Sequence, residues 1–237
     1  MLDIITWKWK PLQANYRSQY DHRPVNVLYN QVERWYPHPF RFSCITDDPT
    51  GIDPRVRIIP LWTEHGQIEN PWGRHQPSCY RRLRMYGADA VEWIGPRFVS
   101  LDLDTVICGD MSPVWNRPED FVIWGDVSNL NPYNGSMTLM NAGARRQVWD
   151  RFHPIHSPRE AKRNRCFGSD QGWIANVLGP GEPRWTVADG VYSFRVHILR
   201  NGGKLPADAR IVFFHGRHDP WQPAVQTAHS WVREHWR

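Results

Sequence analysis

The chain has 237 residues, and its 29 Lys and Arg against 24 Asp and Glu give a formal net charge of +5. A hydrophobic fraction of 41% and a charged fraction of 22% are typical of a globular protein and exclude disordered, collagen-like and coiled-coil chains. No apolar run approaches the roughly 18–20 residues of a membrane helix, and the opening MLDIITWKWK is unlike a signal peptide. We therefore expect a cytoplasmic protein with no membrane-spanning segment.

The composition has two biases. Arg supplies 25 of the 29 basic residues, and there are 14 Trp. Arg has a planar fork that binds phosphates and carboxylates, and Trp stacks on flat rings, but genome composition and large core residues explain both biases equally well. The four cysteines lie far apart without a CxxC pair, which disfavours a disulfide framework or a cysteine zinc site.

Strand-like and helix-like segments alternate along the chain. Strands are predicted at residues 2–6, 40–46, 56–61, 97–101, 121–124, 136–141 and 211–214, and helices at 25–36, 78–86, 144–152 and 170–178. The alternation predicts an α/β fold with a mixed sheet. Residues 154–168 are basic and weakly patterned, and we interpret them as a long surface loop.

The clearest chemical signal is FVSLDLDTVI at residues 98–107. Asp102 and Asp104 follow an apolar strand, and residues two apart in extended backbone point the same way. Two carboxylates buried together require a compensating cation, for which Mg²⁺ or Mn²⁺ is suited. An isolated D-x-D is common by chance, and the alternative is a solvated or turn-capping strand end. A second apolar strand ends in His215-Gly216, where His215 is a candidate nitrogen ligand or a strand-end histidine bonded to backbone.

Further motifs occur in a characteristic order around the aspartate pair, at residues 4–7 (IITW), 79–83 (CYRRL), 134–141 (NGSMTLMN), 169–171 (SDQ) and 214–221 (FHGRHDPW). This order resembles the nucleotide-sugar glycosyltransferases of the single-domain A-type fold, most of all the glycogenin and bacterial lipopolysaccharide galactosyltransferase group. The resemblance implies a Rossmann-like mixed sheet flanked by helices in one domain over residues 1–237. Its nucleotide-binding half would be 1–110 and its acceptor-binding half 111–237.

The resemblance also implies roles for individual residues and retention of anomeric configuration. The ligands of Mn²⁺ or Mg²⁺ would be Asp102, Asp104 and His215. The donor, a UDP-sugar, would be bound by Thr6, Trp7, Arg82, Arg217 and His218. The sugar hydroxyls at the reacting centre would be held by Asn134, Asp170 and Gln171. The sequence departs from the family at Asp219, which stands where a lysine would hold the diphosphate. Arg217 or His218 is the predicted replacement.

Each motif also has an ordinary structural interpretation. Arg81, Arg82 and Arg84 are also consistent with the solvent-exposed face of a helix, and Asn134-Gly135 with a turn. Asp170-Gln171 is consistent with an N-terminal helix cap, since Ser169 and Asp170 precede an apolar helical pattern. The general base stays open among Asp126, Asp170 and Asp189. The chain order of the motifs, rather than any one of them, favours the glycosyltransferase interpretation.

The acceptor and the reaction class have alternatives. The basic stretch 159–165, with Arg145, Arg146 and Arg151, indicates an anionic acceptor, either DNA carrying a hydroxymethylated base, as in phage-infected bacteria, or a glycan or lipopolysaccharide. DLDTV also resembles the nucleophile motif of haloacid-dehalogenase-like phosphatases, although that motif normally opens the chain. A third alternative is a non-catalytic module that binds carbohydrate or nucleic acid.

Overall fold

The computed structural model describes residues 1–11, 19–73, 75–125, 127 and 130–237. The described residues form ten strands: β1 Leu2–Lys8, β2 Phe40–Thr46, β3 Arg57–Pro60, β4 Arg97–Leu101, β5 Thr105–Ile107, β6 Phe121–Gly125, β7 Tyr133–Asn141, β8 Arg184–Trp185, β9 Val191–Ser193 and β10 Ile211–Phe213. They also form eight α-helices: α1 Arg23–Trp35, α2 Ala90–Trp93, α3 Ser112–Trp115, α4 Gln147–Asp150, α5 His156–Arg163, α6 Asp170–Leu178, α7 Pro223–Ala228 and α8 Ser230–His235. Shorter 3-10 or π-helical turns cover Tyr80–Tyr86, Val187–Asp189, Phe194–Ile198 and Leu199–Asn201.

The strands make one large and one small sheet. The large sheet has the order β3-β2-β1-β4-β7-β6-β8, and the small sheet has the order β5-β10-β9. Strands β3, β2, β1 and β4 are parallel to one another, whereas β7 runs antiparallel to both β4 and β6. The predicted α/β fold with a mixed central sheet is thereby confirmed.

Alternating residues of the central strands face two separate cores. Ile4 packs with the apolar face of α1, and its neighbour Ile5 packs with the 3-10 helix and α6 on the opposite side. A third core joins the small sheet to α7 and α8. Six of the 14 Trp are buried and none is exposed, so the Trp bias mainly serves these cores. No helix in the described part of the chain is long and apolar enough to cross a membrane.

The structure corrects several element predictions. Residues 154–168 are not one long loop, because α5 occupies their centre. The buried face of α5 consists of Ser157, Pro158 and Ala161, which are too small and polar to give a visible hydrophobic period. The predicted helix at 144–152 is reduced to α4, and the one at 78–86 is a 3-10 helix. The prediction also missed β5, β8 and β9, which are two or three residues long.

Candidate active site

The strand order creates a crevice at the carboxyl ends of β1 and β4. These strands are parallel neighbours, with Thr6 opposite Leu101, while β2 and β3 lie on the other side of β1. The chain therefore crosses from one side of β1 to the other between β3 and β4. In open α/β sheets such a switch point is where ligands bind, because the loops that follow the two strands diverge there.

A cavity of about 750 Å³ opens at this switch point. Nine of the eleven predicted site residues line it: Trp7, Arg82, Asp102, Asp104, Asn134, Asp170, Gln171, His215 and Arg217. The other two lie outside the lining. The hydroxyl of Thr6 is buried and donates to the Leu101 carbonyl at 2.9 Å, and the ring of His218 packs 5.7 Å from that of Phe194.

Arg82 is the cationic centre of the cavity wall. The 3-10 helix places its side chain, only 8% exposed, between two carboxylates: Nε donates to Asp170 Oδ2 at 2.8 Å, and Nη1 forms an ion pair with Asp102. Burial alone would lower the pKa of Arg82, but Asp102 and Asp170 raise it well above its usual value. The interpretation of this arginine as part of a wet helix face is therefore wrong.

The strand β7 closes around this ion pair. Asn134 and Gly135 lie within β7, opposite an irregularity in the pairing with β6, so their interpretation as a turn is wrong. A Cβ on Gly135 would lie 3.1 Å from Arg82 Nη2 and 3.4 Å from Asp170 Oδ2. A side chain here would therefore force the Arg82 or Asp170 side chain to shift by a few tenths of an ångström, and glycine avoids this. The Asn134 side chain accepts from the Ser136 backbone N–H at 2.9 Å.

Backbone hydrogen bonds hold the predicted metal ligands near one another. The Asp102 N–H donates to the Ser136 carbonyl at 3.0 Å, and the Phe214 N–H donates to the Asp104 carbonyl at 2.8 Å. The second bond brings the end of β10, and hence His215, beside the aspartate motif. His215 Nε2 lies 2.7 Å from the hydroxyl of Ser193.

The three predicted metal ligands lie together but do not form a completed metal site. Within the residues that the structure describes, no three His, Cys, Asp or Glu side chains are already arranged as a metal-binding group. Asp102, Asp104 and His215 nevertheless line one cavity, and carboxylate with imidazole suits Mn²⁺ or Mg²⁺. Arg82 engages Oδ1 of Asp102, and Oδ2 has no hydrogen-bond partner in the described part of the chain. The residue types and their location fit the cation.

The start of α6 supplies the opposite wall. The helix-cap interpretation is correct in position, because Ser169 is the N-cap residue and Asp170 begins the helix. The Ser169 side chain makes no capping hydrogen bond; its hydroxyl instead accepts from the Cys79 N–H at 2.9 Å. Gln171 Oε1 lies 3.5 Å from the Gly135 N–H. Burial raises the pKa of the Cys79 thiol to about 12, so this cavity-lining cysteine stays protonated at neutral pH and is a poor nucleophile.

The other acidic candidates are placed differently. Asp126 lies outside the described residues. Asp189 caps a 3-10 turn with Thr186, pairs with Arg117 at 3.2 Å and lines a separate cavity of about 230 Å³. Asp219 is buried and accepts from the Gln222 side chain at 3.2 Å, outside the cavity lining. Of the general-base candidates in the described chain, Asp170 alone lines the main cavity.

Sequence reasoning missed part of the cavity wall. Lys10, Glu69 and His75 line it, the first from the segment after β1 and the other two from the connection between β3 and the 3-10 helix. That connection is rich in Gly, Pro and Asn and has no hydrophobic period. Its alternation of charged residues with turn formers was the available signal.

The fold is shared with solved glycosyltransferases. The galactosyltransferase LgtC, solved with donor and acceptor sugar analogs, matches with a TM-score of 0.63 and 13% identity over 100% of this chain and 97% of its own. The glycosyltransferase GlyE of Streptococcus pneumoniae matches with a TM-score of 0.60 and 11% identity over 100% of this chain and 62% of its own. Mouse xyloside xylosyltransferase 1 matches with a TM-score of 0.54 and 11% identity over 90% and 97%.

At the level of sequence, no protein-family model matches the chain, and no curated protein does. The structural likeness confirms the predicted A-type glycosyltransferase fold. At 11–13% identity it establishes the architecture and leaves the chemistry to be argued from the site.

Proposed function

We propose that the protein is a metal-dependent glycosyltransferase that moves a sugar from a nucleotide-sugar, with uridine as the base, to an acceptor hydroxyl. One observation carries the proposal. At the switch point of an A-type fold, a buried Arg82 joins Asp102 to Asp170 in the wall of a cavity that also contains His215 and Arg217. The site thus combines candidate ligands for a cation, free cationic surface for phosphates and polar groups for a sugar.

The donor diphosphate would bind at the aspartate end of the cavity. Asp102, Asp104 and His215 would hold Mn²⁺ or Mg²⁺, which when bound supplies Lewis-acid neutralisation of the departing diphosphate. Arg217 is exposed at the rim and offers a planar fork for bidentate hydrogen bonds to phosphate oxygens. Arg217 would thus supply the positive charge that the family's lysine provides at the position of Asp219.

The sugar would bind between β7 and α6. Arg82 holds the Asp170 carboxylate in one orientation, and the Asn134 and Gln171 side chains are fixed by backbone N–H groups at 2.9 and 3.5 Å. Amide and carboxylate oxygens accept hydrogen bonds from sugar hydroxyls. Groups held in place before the substrate arrives lose little entropy in the transition state, which is the condition for orienting an anomeric carbon against an acceptor.

The acceptor hydroxyl is proposed to belong to a hydroxymethylated base of DNA, or alternatively to a glycan or lipopolysaccharide. The phosphatase alternative is less favoured, because the ion pair with Arg82 stabilises the Asp102 carboxylate that would have to act as the nucleophile. The solved structures described above are also glycosyltransferases.

Thermal shift with a panel of nucleotide-sugars tests the donor assignment. A ligand at 100 times its Kd stabilises the folded state by about 2.7 kcal/mol. At roughly 2–4 °C per kcal/mol for a chain of this size, the midpoint should rise by about 5–10 °C with UDP-sugar and Mn²⁺ together. Asp102→Asn should abolish the metal-dependent part of the shift, whereas the control Asp208→Asn, which alters a surface pair with Tyr192, should keep it. If no nucleotide-sugar shifts the wild type with Mn²⁺, the proposal fails.

A further inference from the structure

Residues 151–165 form a dense, exposed run of positive charge. Residues 151–165 contain five basic side chains and one acid, so they carry a net +4 of the chain's +5. We call the five basic side chains the α5 strip; they are Arg151, Arg159, Lys162, Arg163 and Arg165. All five are exposed. Exposed positive charge of this density attracts an anionic partner before contact.

The arginines of the strip have no protein counterion. Among the described residues, none of the four guanidinium groups makes a hydrogen bond or an ion pair. The neighbouring arginines in the segment before α4 differ: Arg145 binds Glu182 at 2.7 Å and Asp120 at 3.1 Å, and Arg146 binds Asp150 at 2.7 Å. Unpaired like charges crowded on a short helix repel one another. An external anion would remove that repulsion, whereas internal pairing already does so for Arg145.

The strip is fastened to the wall of the cavity. Lys162 donates to the Pro71 carbonyl at 2.7 Å, and Trp72 stacks on Phe167 with ring centres 3.9 Å apart. Asn131 binds the Phe167 backbone twice, at 2.6 and 2.7 Å. The next residue, Gly168, lines the cavity. Gly168 is three positions after Arg165 in the chain, a distance of at most about 10 Å between their Cα atoms, so a polymer on the strip passes near the cavity mouth.

We propose that the α5 strip binds the phosphate backbone of DNA and presents a DNA-borne hydroxyl to the cavity, which as a transfer step rests on the function proposed above. DNA carries one negative charge per about 1.7 Å of helix axis, and α5, about 12 Å long, carries three of the five cations while Arg151 and Arg165 lie on either side of it in the chain. Four of the five cations are Arg, whose fork matches phosphate. A membrane surface fits less well, because none of the 14 Trp is exposed to enter an interface.

Salt-dependent DNA binding tests the strip without using the transfer reaction. Fluorescence anisotropy with a fluorescein-labelled 20-bp DNA duplex is measured from 50 to 200 mM salt. Five phosphate contacts at a slope of about −0.9 each predict a roughly 500-fold loss of affinity for the wild type over that range. The triple variant Arg159→Gln, Arg163→Gln and Arg165→Gln should lose only about 12-fold, and should bind more weakly at 50 mM.

A charge-matched control separates the strip from net charge. Arg200→Gln, Lys204→Gln and Arg233→Gln removes three exposed charges elsewhere and should keep the wild-type salt slope. Equal slopes for the two triple variants, or no DNA binding at 50 mM, would overturn the proposal, as would tighter binding to phosphatidylserine vesicles than to the duplex. The donor-induced thermal shift should be the same in the strip variant and the wild type. If the wild type shows the donor-induced shift but does not bind the duplex at 50 mM salt, the strip proposal fails and the proposed transfer activity is unaffected.

Discussion

Replacing Arg82 by Gln tests whether the cavity is organised by its central cation. Asp170 has a side chain only 5% exposed and depends on Arg82 for its counterion, whereas Asp102 is 27% exposed and can recover water. Removing one partner of a buried ion pair costs about 3–5 kcal/mol, because the other charge is left uncompensated. We therefore expect Arg82→Gln to lower the free energy of unfolding by that amount, a fall of roughly 6–20 °C in Tm.

The reason for the loss can be isolated with a second substitution. Arg82→Gln combined with Asp170→Asn leaves no buried charge behind, so the double variant should be more stable than Arg82→Gln alone by about 1–3 kcal/mol. Arg145→Gln is the matched control, because Arg145 also bridges two acids, Glu182 and Asp120, but both lie away from the cavity and are more exposed than Asp170. It should cost about 1–2 kcal/mol.

Urea denaturation followed by Trp fluorescence measures all four proteins. The reasoning is refuted if Arg82→Gln costs no more than Arg145→Gln, or if Asp170→Asn fails to restore stability in the Arg82→Gln background. The first outcome would mean that water already solvates Asp170. The second would mean that the arginine stabilises the fold through packing, not charge.

Two further predictions concern titrating groups. Burial between Trp149 and Phe152 lowers the pKa of His65, partly offset by Glu64, so the neutral form is favoured in the folded state. Its contribution to stability is present above about pH 6.5 and is lost as the pH falls, so Tm should fall less between pH 7.5 and 5.5 in His65→Asn than in the wild type; equal falls would contradict this. Burial also raises the pKa of three thiols to about 12, those of Cys44, Cys79 and Cys108, but raises that of Cys166 less. Mass spectrometry after brief iodoacetamide treatment of the native protein at pH 8 should find Cys166 modified first, and earlier labelling of Cys79 would disprove the predicted order.

The sequence predicted those elements whose signal is local. β2, β4 and α6 have the predicted bounds, because each is a continuous apolar or amphipathic run with a clear stop. The order of the motifs along the chain also predicted nine of the residues that line the cavity, because the strand ends that carry them meet at the switch point of this fold. A short strand such as β9 has too few residues for a period and exists because β10 pairs with it.

The sequence left the burial of Arg82 open for a different reason. Its carboxylate partners are 20 and 88 residues away, and a periodic pattern treats any arginine as solvent-facing. Gly135 indicates this burial, because a Cβ there would lie 3.1 Å from Arg82 Nη2. The sequence alone does not show that Arg82 lies next to Gly135. Buried charges are specified by tertiary partners, so they fall outside what local pattern predicts.

Arg82 in the cavity wall and the arginines of the α5 strip differ in whether they have carboxylate partners in the protein. Arg82 is fixed by two carboxylates before any ligand arrives, so it can orient Asp170 but has little capacity left to attract an anion. The arginines of the α5 strip have no protein partner in the described chain, so their attraction for a polyanion is undiminished and is screened within about 8–10 Å at physiological salt. Raising the salt concentration should therefore weaken capture of a charged acceptor strongly while leaving the Arg82-centred geometry unchanged, because the buried pair is shielded from mobile ions. The steep step in a salt titration of transfer would then appear in KM for the acceptor rather than in kcat.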